Sequence, residues 1–182
     1  MTQTKLFAYF DSPLGPIYLE GDEAALNSLY FPDHKHWAGP NPRAERDDDA
    51  FFAVREQLTE YFAGTRRTFD IPTQLQGTPF QQRVWAELTQ IPFGETISYA
   101  ELARRVGKPS ASRAVGAANG RNPISIIVPC HRVIAADGKL TGYGGGLDNK
   151  RRLLDWERSV RLGIHASHDH TCTSPAMSAA AK

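Results

Sequence analysis

Apolar residues come in short bursts at the start of the chain. Leu6-Phe7-Ala8-Tyr9-Phe10 runs into the turn-forming Asp11-Ser12-Pro13-Leu14-Gly15, and Ile17-Tyr18-Leu19 follows. Leu26 to Phe31 ends at Pro32-Asp33, so the pattern predicts three strands. Residues 33–49 are polar, hold Pro40 and Pro42, and finish in Asp47-Asp48-Asp49; they read as a loop leading to a helix N-terminus. Phe51, Val54, Leu58 and Tyr61 then recur at helical spacing until Gly64 supplies a stop. Residues 1–76 are thus expected to form an N-terminal α/β domain with a small antiparallel sheet and no evident chemistry.

From residue 77 the period becomes helical. Thr78-Pro79-Phe80-Gln81 places a capping threonine, a proline at the first helical position and a glutamine three residues after the cap. Phe80, Val84, Trp85 and Leu88 line one face, and Gly94 breaks the pattern. Ser98-Tyr99-Ala100-Glu101 reads as a second capping box, opening a helix through Leu102 and Val106. Gly107-Lys108-Pro109 makes a tight turn, and Ser110 is placed to cap a third helix built of Ala111, Ser112, Ala114, Gly116, Ala117 and Ala118. Helix, glycine turn, helix is the outline of a helix-turn-helix, although any helical hairpin shares it. A helix clad in alanine, serine and glycine builds a poor core but lets its backbone approach another surface closely. Arg113, the long cation in that stretch, is suited to phosphates or a groove, or else to plain solvation.

After Asn122-Pro123, the run Ser125-Ile126-Ile127-Val128 predicts a short buried strand. Pro129-Cys130-His131-Arg132 follows, then a second apolar run from Val133 to Ala136 turned by Asp137-Gly138. Gly142-Tyr143-Gly144-Gly145-Gly146 lacks the Gly-Lys-Ser/Thr of a phosphate-binding P-loop. A last helix is expected from about Asp148 to Leu162, stopped by Gly163. Residues 163–182 are poor in apolar side chains and read as a disordered tail. The expected architecture is α+β, with domains over 1–76 and 77–162.

Composition narrows the classes. No stretch of the 182 residues approaches the ~20 apolar positions needed to span a bilayer, and nothing resembles a signal peptide. Two cysteines, Cys130 and Cys172, exclude a disulfide framework and a four-cysteine zinc site. A soluble, cytoplasmic, monomeric protein is expected. The net charge of +1 hides an asymmetry: residues 1–76 carry 7 Lys/Arg against 12 Asp/Glu (−5), and residues 77–162 carry 13 against 7 (+6). A basic second half hints at a polyanionic partner, unless the charges merely dress solvated surfaces.

Cys130 lies between a buried run and a polar stretch, beside His131. A thiol attacks as thiolate, and a neighbouring base or positive field lowers its pKa from about 8.5. Free cysteine is also among the most buried residue types, so a purely structural Cys130 is the competing account. Glu157 falls four residues after Leu153 and three before Val160, on the apolar face of the last helix. A carboxylate there must be paired: with a histidine, giving Glu–His–Cys, or with an arginine such as Arg161 or Arg152. His165, His168, His170 and Cys172 cluster in the tail and His34/His36 form a second pair, but neither grouping implies a functional metal site.

Taken together, Ile126-Ile127-Val128-Pro129-Cys130-His131-Arg132-Val133 resembles the active-site signature of the O6-alkylguanine-DNA alkyltransferases, the methylated-DNA–protein-cysteine methyltransferases. The resemblance extends from about Gly77 to Glu157 through Thr78-Pro79-Phe80-Gln81-Gln82, Ile97-Ser98-Tyr99, Ser112-Arg113-Ala114-Val115-Gly116, Asn122-Pro123 and Tyr143-Gly144-Gly145-Gly146-Leu147. It implies a winged helix-turn-helix-like core that binds double-stranded DNA containing O6-alkylguanine through the minor groove. Cys130 would accept the alkyl group once and irreversibly, His131 would take its proton through a water, and Glu157 would orient that imidazole. Tyr99 would help rotate the nucleotide outward and protonate the departing guanine, and Arg113 would fill the gap in the base stack. Asn122 would fix the loop before the cysteine, and Val133, Tyr143 and Gly144 would line the base pocket. No cofactor or metal is implied. The relatives that sense damage without repairing it carry tryptophan where this chain has Cys130. An inert damage sensor and a turning-over cysteine hydrolase remain the competing functions.

Overall fold

The computed structural model describes residues 4–164. β1 (Leu6–Ser12) and β2 (Gly15–Gly21) form an antiparallel hairpin with Tyr9 opposite Tyr18. At its tip the Ser12 hydroxyl donates to the Gly15 carbonyl (2.6 Å) and accepts from the Leu14 N–H (3.1 Å). Gly15 takes φ +101°, which a side chain would resist. β3 (Leu26–Tyr30) pairs antiparallel with β2. The sheet is mixed rather than wholly antiparallel, because β4 (Glu45–Arg46) lies parallel to β1 in the order β3-β2-β1-β4. Two charged residues carry no apolar alternation, so nothing in the sequence set them apart from the loop. α1 (Phe52–Phe62) follows, burying Val54, Gln57, Leu58 and Tyr61.

In the second half α2 (Pro79–Leu88) has the full Thr78/Gln81 capping box with proline at its start. α3 (Tyr99–Arg105) is capped by the Ser98 side chain, which accepts the Glu101 N–H at 3.1 Å. The reciprocal half of that expected box is replaced, since the Glu101 carboxylate pairs with Arg104 and Arg105. α4 (Ser112–Gly120) starts after Ala111 without the expected Ser110 side-chain cap; the Ala111 N–H instead closes the turn on the Lys108 carbonyl at 2.8 Å. The turn between them holds Gly107 at φ +73°, and α2, α3 and α4 pack on one another.

The expected strand over Ser125–Val128 does not form. These residues are largely buried but fold into tight turns, with Ile126 at φ +69° and the Val128 N–H donating to the Ile124 carbonyl at 3.1 Å. An apolar run reports burial, not extension, and here the Asn122 side chain occupies backbone groups that a neighbouring strand would have used. A single 3₁₀ turn, Cys130–Arg132, follows and leads to β6 (Val133–Ile134), which pairs parallel with β5 (Ile97–Ser98). α5 (Leu147–Leu162) ends at Gly163 in the left-handed conformation, φ +68°.

The free edge of β3 is covered by the second half. The Leu29 N–H donates to the Pro123 carbonyl (2.8 Å), and the Ser125 N–H returns to the Leu29 carbonyl (3.0 Å). One buried apolar cluster runs through both halves. The expected disordered tail, with Cys172 and the tail histidines, lies outside the described residues beyond Ile164.

Candidate active site

Cys130 is buried, and its Sγ accepts a hydrogen bond from Asn122 Nδ2 at 3.0 Å. The same Asn122 amide donates to the Val128 carbonyl (2.8 Å) and lies 3.2 Å from that of Ile124, while its Oδ1 accepts the Ile124 N–H at 3.1 Å. One side chain thus ties the end of α4 to the turn carrying the thiol. Asn119, on α4, donates to the Cys130 carbonyl at 3.2 Å. Burial pushes the Cys130 thiol up to about 11, against the pull of the Asn122 donor and the Lys150 charge.

His131 and Glu157 are fully buried and joined at 2.8 Å through Nε2 and Oε1. Burial alone would raise the Glu157 pKa, but His131 and Arg132 outweigh it and hold the carboxyl well below the usual range. An ionised carboxylate only accepts, so the His131 proton is assigned to Nε2 and the lone pair to Nδ1. Nδ1 has no hydrogen-bond partner among the described residues. Burial, opposed by Glu157, lowers the imidazole pKa, so His131 is neutral and ready to accept a proton.

The arginine partner of Glu157 is Arg132, not Arg161 or Arg152, and the histidine and arginine pairings occur together. Arg132 forks onto the carboxylate, Nε to Oε2 and Nη2 to Oε1, both 2.9 Å, and its Nη1 donates to the Ile91 carbonyl at 2.6 Å. Its guanidinium also lies 5.7 Å from the Phe93 ring centroid. The Gly94 N–H donates to Oε2 at 2.8 Å, and the Tyr61 hydroxyl to Oε1 at 2.8 Å. Sequence reasoning missed these partners. Arg132 adjoins His131 in the chain with no local pattern to mark its partner, and Tyr61 has the spacing of an ordinary core position of α1.

Lys150 was also missed, although its spacing was available: Lys150, Leu153, Glu157 and Val160 form the buried stripe of α5. Its Nζ donates to the carbonyls of Val133 (2.6 Å) and Thr141 (2.7 Å), and burial pushes its pKa down to about 8. Val133 is fully buried in β6. Tyr143 is buried too, and burial raises its pKa well above the ordinary value, so its hydroxyl stays protonated. Tyr99, at the start of α3, has its hydroxyl 2.9 Å from the Thr141 carbonyl and 3.2 Å from that of Gly142. A Cβ on Gly144 would collide with His34 Nε2 and lie 2.8 Å from the Gly120 carbonyl, so glycine permits the N-terminal half to close against this loop. His34 itself is buried, and burial, with His36 adding, pushes it down to about 4. Arg113 stands apart from the buried cluster. It is exposed on α4 beside Ala114 and Ala117, with no ion-pair or hydrogen-bond partner among the described residues.

A buried thiol, a neutral imidazole held by an ionised carboxylate, and a small-residue helix exposed in a helix-turn-helix outline fit one class: a protein with a candidate cysteine site beside a candidate nucleic-acid-binding motif. Comparison narrows the class to a family. Residues 5–75 match the ribonuclease-like domain of 6-O-methylguanine DNA methyltransferase, and residues 79–159 match the DNA-binding domain of the same family. The chain is 53% identical over 155 residues to the methylated-DNA–protein-cysteine methyltransferase of Mycobacterium tuberculosis strain H37Rv, covering 82% of this chain and 90% of the relative. It is 50% identical over 153 residues to that of Methanosarcina acetivorans, covering 84% and 98%. The crystal structure of Mycobacterium tuberculosis OGT in complex with DNA superposes with a TM-score of 0.81 at 50% identity, covering 85% of this chain and 94% of that one. The chain belongs to the 6-O-methylguanine-DNA methyltransferase family. No described helix is long and apolar enough to cross a membrane.

Proposed function

We propose that this protein repairs DNA by moving a methyl or larger alkyl group from O6 of guanine in duplex DNA onto its own Cys130, once per molecule. The observation that carries the reading is the buried chain Glu157–His131 set beside a buried Cys130. A thiol pushed up to about 11 holds almost no thiolate at neutral pH, so its proton must leave as the attack proceeds. The neutral His131, with its Nδ1 lone pair free of partners among the described residues, takes that proton through an intervening water. Sγ then forms a bond to the alkyl carbon as the bond from that carbon to O6 breaks. The electron pair passes to the guanine, which receives a proton from Tyr99 or from water. The Glu157 carboxylate stabilises the imidazolium so formed. The thioether is a poor leaving group, which limits each molecule to one reaction, and neither cofactor nor metal enters.

A buried thiol requires the target nucleotide to leave the base stack, at a cost of a few kcal/mol that is smaller for a poorly paired base. α4 offers the approach, with Arg113, Ala114 and Ala117 exposed, and Arg113 enters the stack in place of the extruded nucleotide. The base would sit against the Gly142–Gly146 loop, which contains the buried Tyr143 and whose start bonds the Tyr99 hydroxyl, with the buried Val133 as a further lining residue. The DNA complex of the Mycobacterium tuberculosis relative supports duplex DNA as the partner. The protein acts as a cytoplasmic monomer, and O4-alkylthymine is a second candidate substrate.

The test is intact-mass measurement after incubation with duplex DNA containing O6-methylguanine, followed by peptide mapping. One added methyl on Cys130 per protein is expected, and none on a Cys130→Ala variant that still binds DNA. An unchanged mass in folded, DNA-bound protein would refute the reading and leave a damage sensor.

A further inference from the structure

Among the described residues, Tyr61 is the partner of Glu157 that comes from the N-terminal half. Its ring is fully buried, packed against Phe62, Phe69 and Phe93 with centroids 5.1, 5.5 and 5.8 Å away. Its carbonyl accepts the Trp156 indole N–H at 3.2 Å, which ties α1 to α5 one residue before Glu157. A phenylalanine would fill that space equally well, so the hydroxyl is the informative atom, and it points at the carboxylate of the reaction centre.

We infer that Tyr61 is a positioning residue for the transfer reaction: from α1 it holds the oxygen of Glu157 that also bonds His131, and so sets how strongly that imidazole accepts the Cys130 proton. The inference rests on reading Cys130 as acceptor and His131 as its base. Oε1 receives donors from three residues: the Tyr61 hydroxyl at 2.8 Å, His131 Nε2 at 2.8 Å and Arg132, through Nη2 at 2.9 Å and more distantly Nε at 3.3 Å. Donors sharing one oxygen share its charge. Removing the hydroxyl leaves more of that charge to His131, favours the imidazolium and makes the histidine a stronger base. Burial and the Glu157 charge raise the Tyr61 pKa well above its ordinary value, so it stays a donor over the working pH range. The other groups acting on His131 are Lys150 and Glu157 from α5 and Arg132 from its own turn. Cys130 is its chain neighbour, and Tyr143, from the glycine loop, couples to both Cys130 and Glu157. None of them replaces the Tyr61 hydroxyl on Oε1 except by moving. The N-terminal half thereby takes part in the chemistry instead of only supporting it.

The test uses the full chain with Tyr61→Phe, reading the His131 imidazole titration by NMR and the single-turnover rate with free O6-benzylguanine across pH. The His131 pKa is expected to rise by about half to one unit, and the acid limb of the rate profile to move with it. The rate on that limb then falls roughly three- to tenfold, with the high-pH plateau within about twofold of wild type. Site-specific 3-fluorotyrosine at position 61, a stronger donor of nearly the same size, should shift both in the opposite direction; it carries the test if Tyr61→Phe does not fold. An unmoved His131 titration, or a loss of rate equal at all pH values, would reduce Tyr61 to a packing residue. Absence of transfer by the wild type would instead overturn the functional reading, while the titration, which needs no transfer, would still decide the role of Tyr61.

Discussion

Replacing Arg132 by methionine keeps most of the side-chain volume and removes the charge that balances Glu157. The variant loses the two 2.9 Å bonds to the carboxylate, the 2.6 Å bond to the Ile91 carbonyl and the stacking on Phe93. Glu157 stays fully buried and keeps Gly94, Tyr61 and His131. Breaking a buried ion pair from one side costs about 3–5 kcal/mol, a large share of the ~5–15 kcal/mol that stabilises a typical protein. The loss should depend on pH. In the wild type the folded His131 pKa lies below its unfolded value, so His131 opposes folding in acid. Without the guanidinium His131 loses one of the charges that hold its pKa down, so its folded pKa rises toward the unfolded value of about 6.5, with burial and Lys150 still opposing. The loss of stability that His131 causes as pH falls below about 6.5 is therefore smaller in the variant, and the difference from wild type opens as pH drops below the variant's folded pKa. Each unit of rise returns about 1.4 kcal/mol. Urea unfolding should therefore show the variant about 3–5 kcal/mol less stable at about pH 8, with a smaller deficit in acid, below about pH 6. At about pH 8 the Tm should drop by roughly 6–20 °C. A deficit under about 1 kcal/mol at pH 8, or a larger one at pH 6, would refute the charge-balance argument.

Asn122→Ala removes the amide that serves the Val128 carbonyl, both backbone groups of Ile124 and the Cys130 sulfur. A loss of about 2–4 kcal/mol in urea unfolding is expected, together with slower transfer because the thiol loses a donor that lowered its pKa; an unchanged rate would show that the donor is irrelevant to the thiol. Arg113→Ala should slow repair of alkylated duplex by tenfold or more, on the order of 1.4 kcal/mol, while leaving reaction with free O6-benzylguanine nearly untouched. Equal losses on both substrates would remove Arg113 from the stack. His34 is held near pKa 4, below its unfolded value, so its neutral form supports folding above about pH 6.5 and that support is lost as pH falls toward 4. His34→Gln should flatten the fall of stability over that window, measured as urea midpoints at several pH values, and an unchanged slope would assign the acid sensitivity elsewhere.

Several elements could be read directly from the residues. The β1–β2 hairpin is written in alternation around Ser12-Pro13-Leu14-Gly15, and α2 in a complete capping box, since both depend on near neighbours. Glu157 was legible for a different reason. Its place among Leu153 and Val160 made it a buried carboxylate, and a buried carboxylate needs partners whatever they are. Helical period states which face is covered but not what covers it. That is why both expected pairings were realised at once, with Arg132 in place of the arginines on α5. The turns over Ser125–Val128 escaped because apolarity measures burial, and the backbone there is satisfied by a side chain, Asn122, from the loop after α4.

What only the tertiary structure decided is where the two halves meet. Tyr61 lies 96 positions from Glu157 in the chain, and its hydroxyl reaches the carboxylate because α1 packs beside α5. A side chain at Gly144 would meet His34, a residue of the other half, as well as the Gly120 carbonyl. Local order and helical period encode the candidate thiol, its histidine neighbour and the buried stripe that holds the carboxylate. The charge balance and hydrogen bonds that tune them depend on distances through space, which local pattern does not encode.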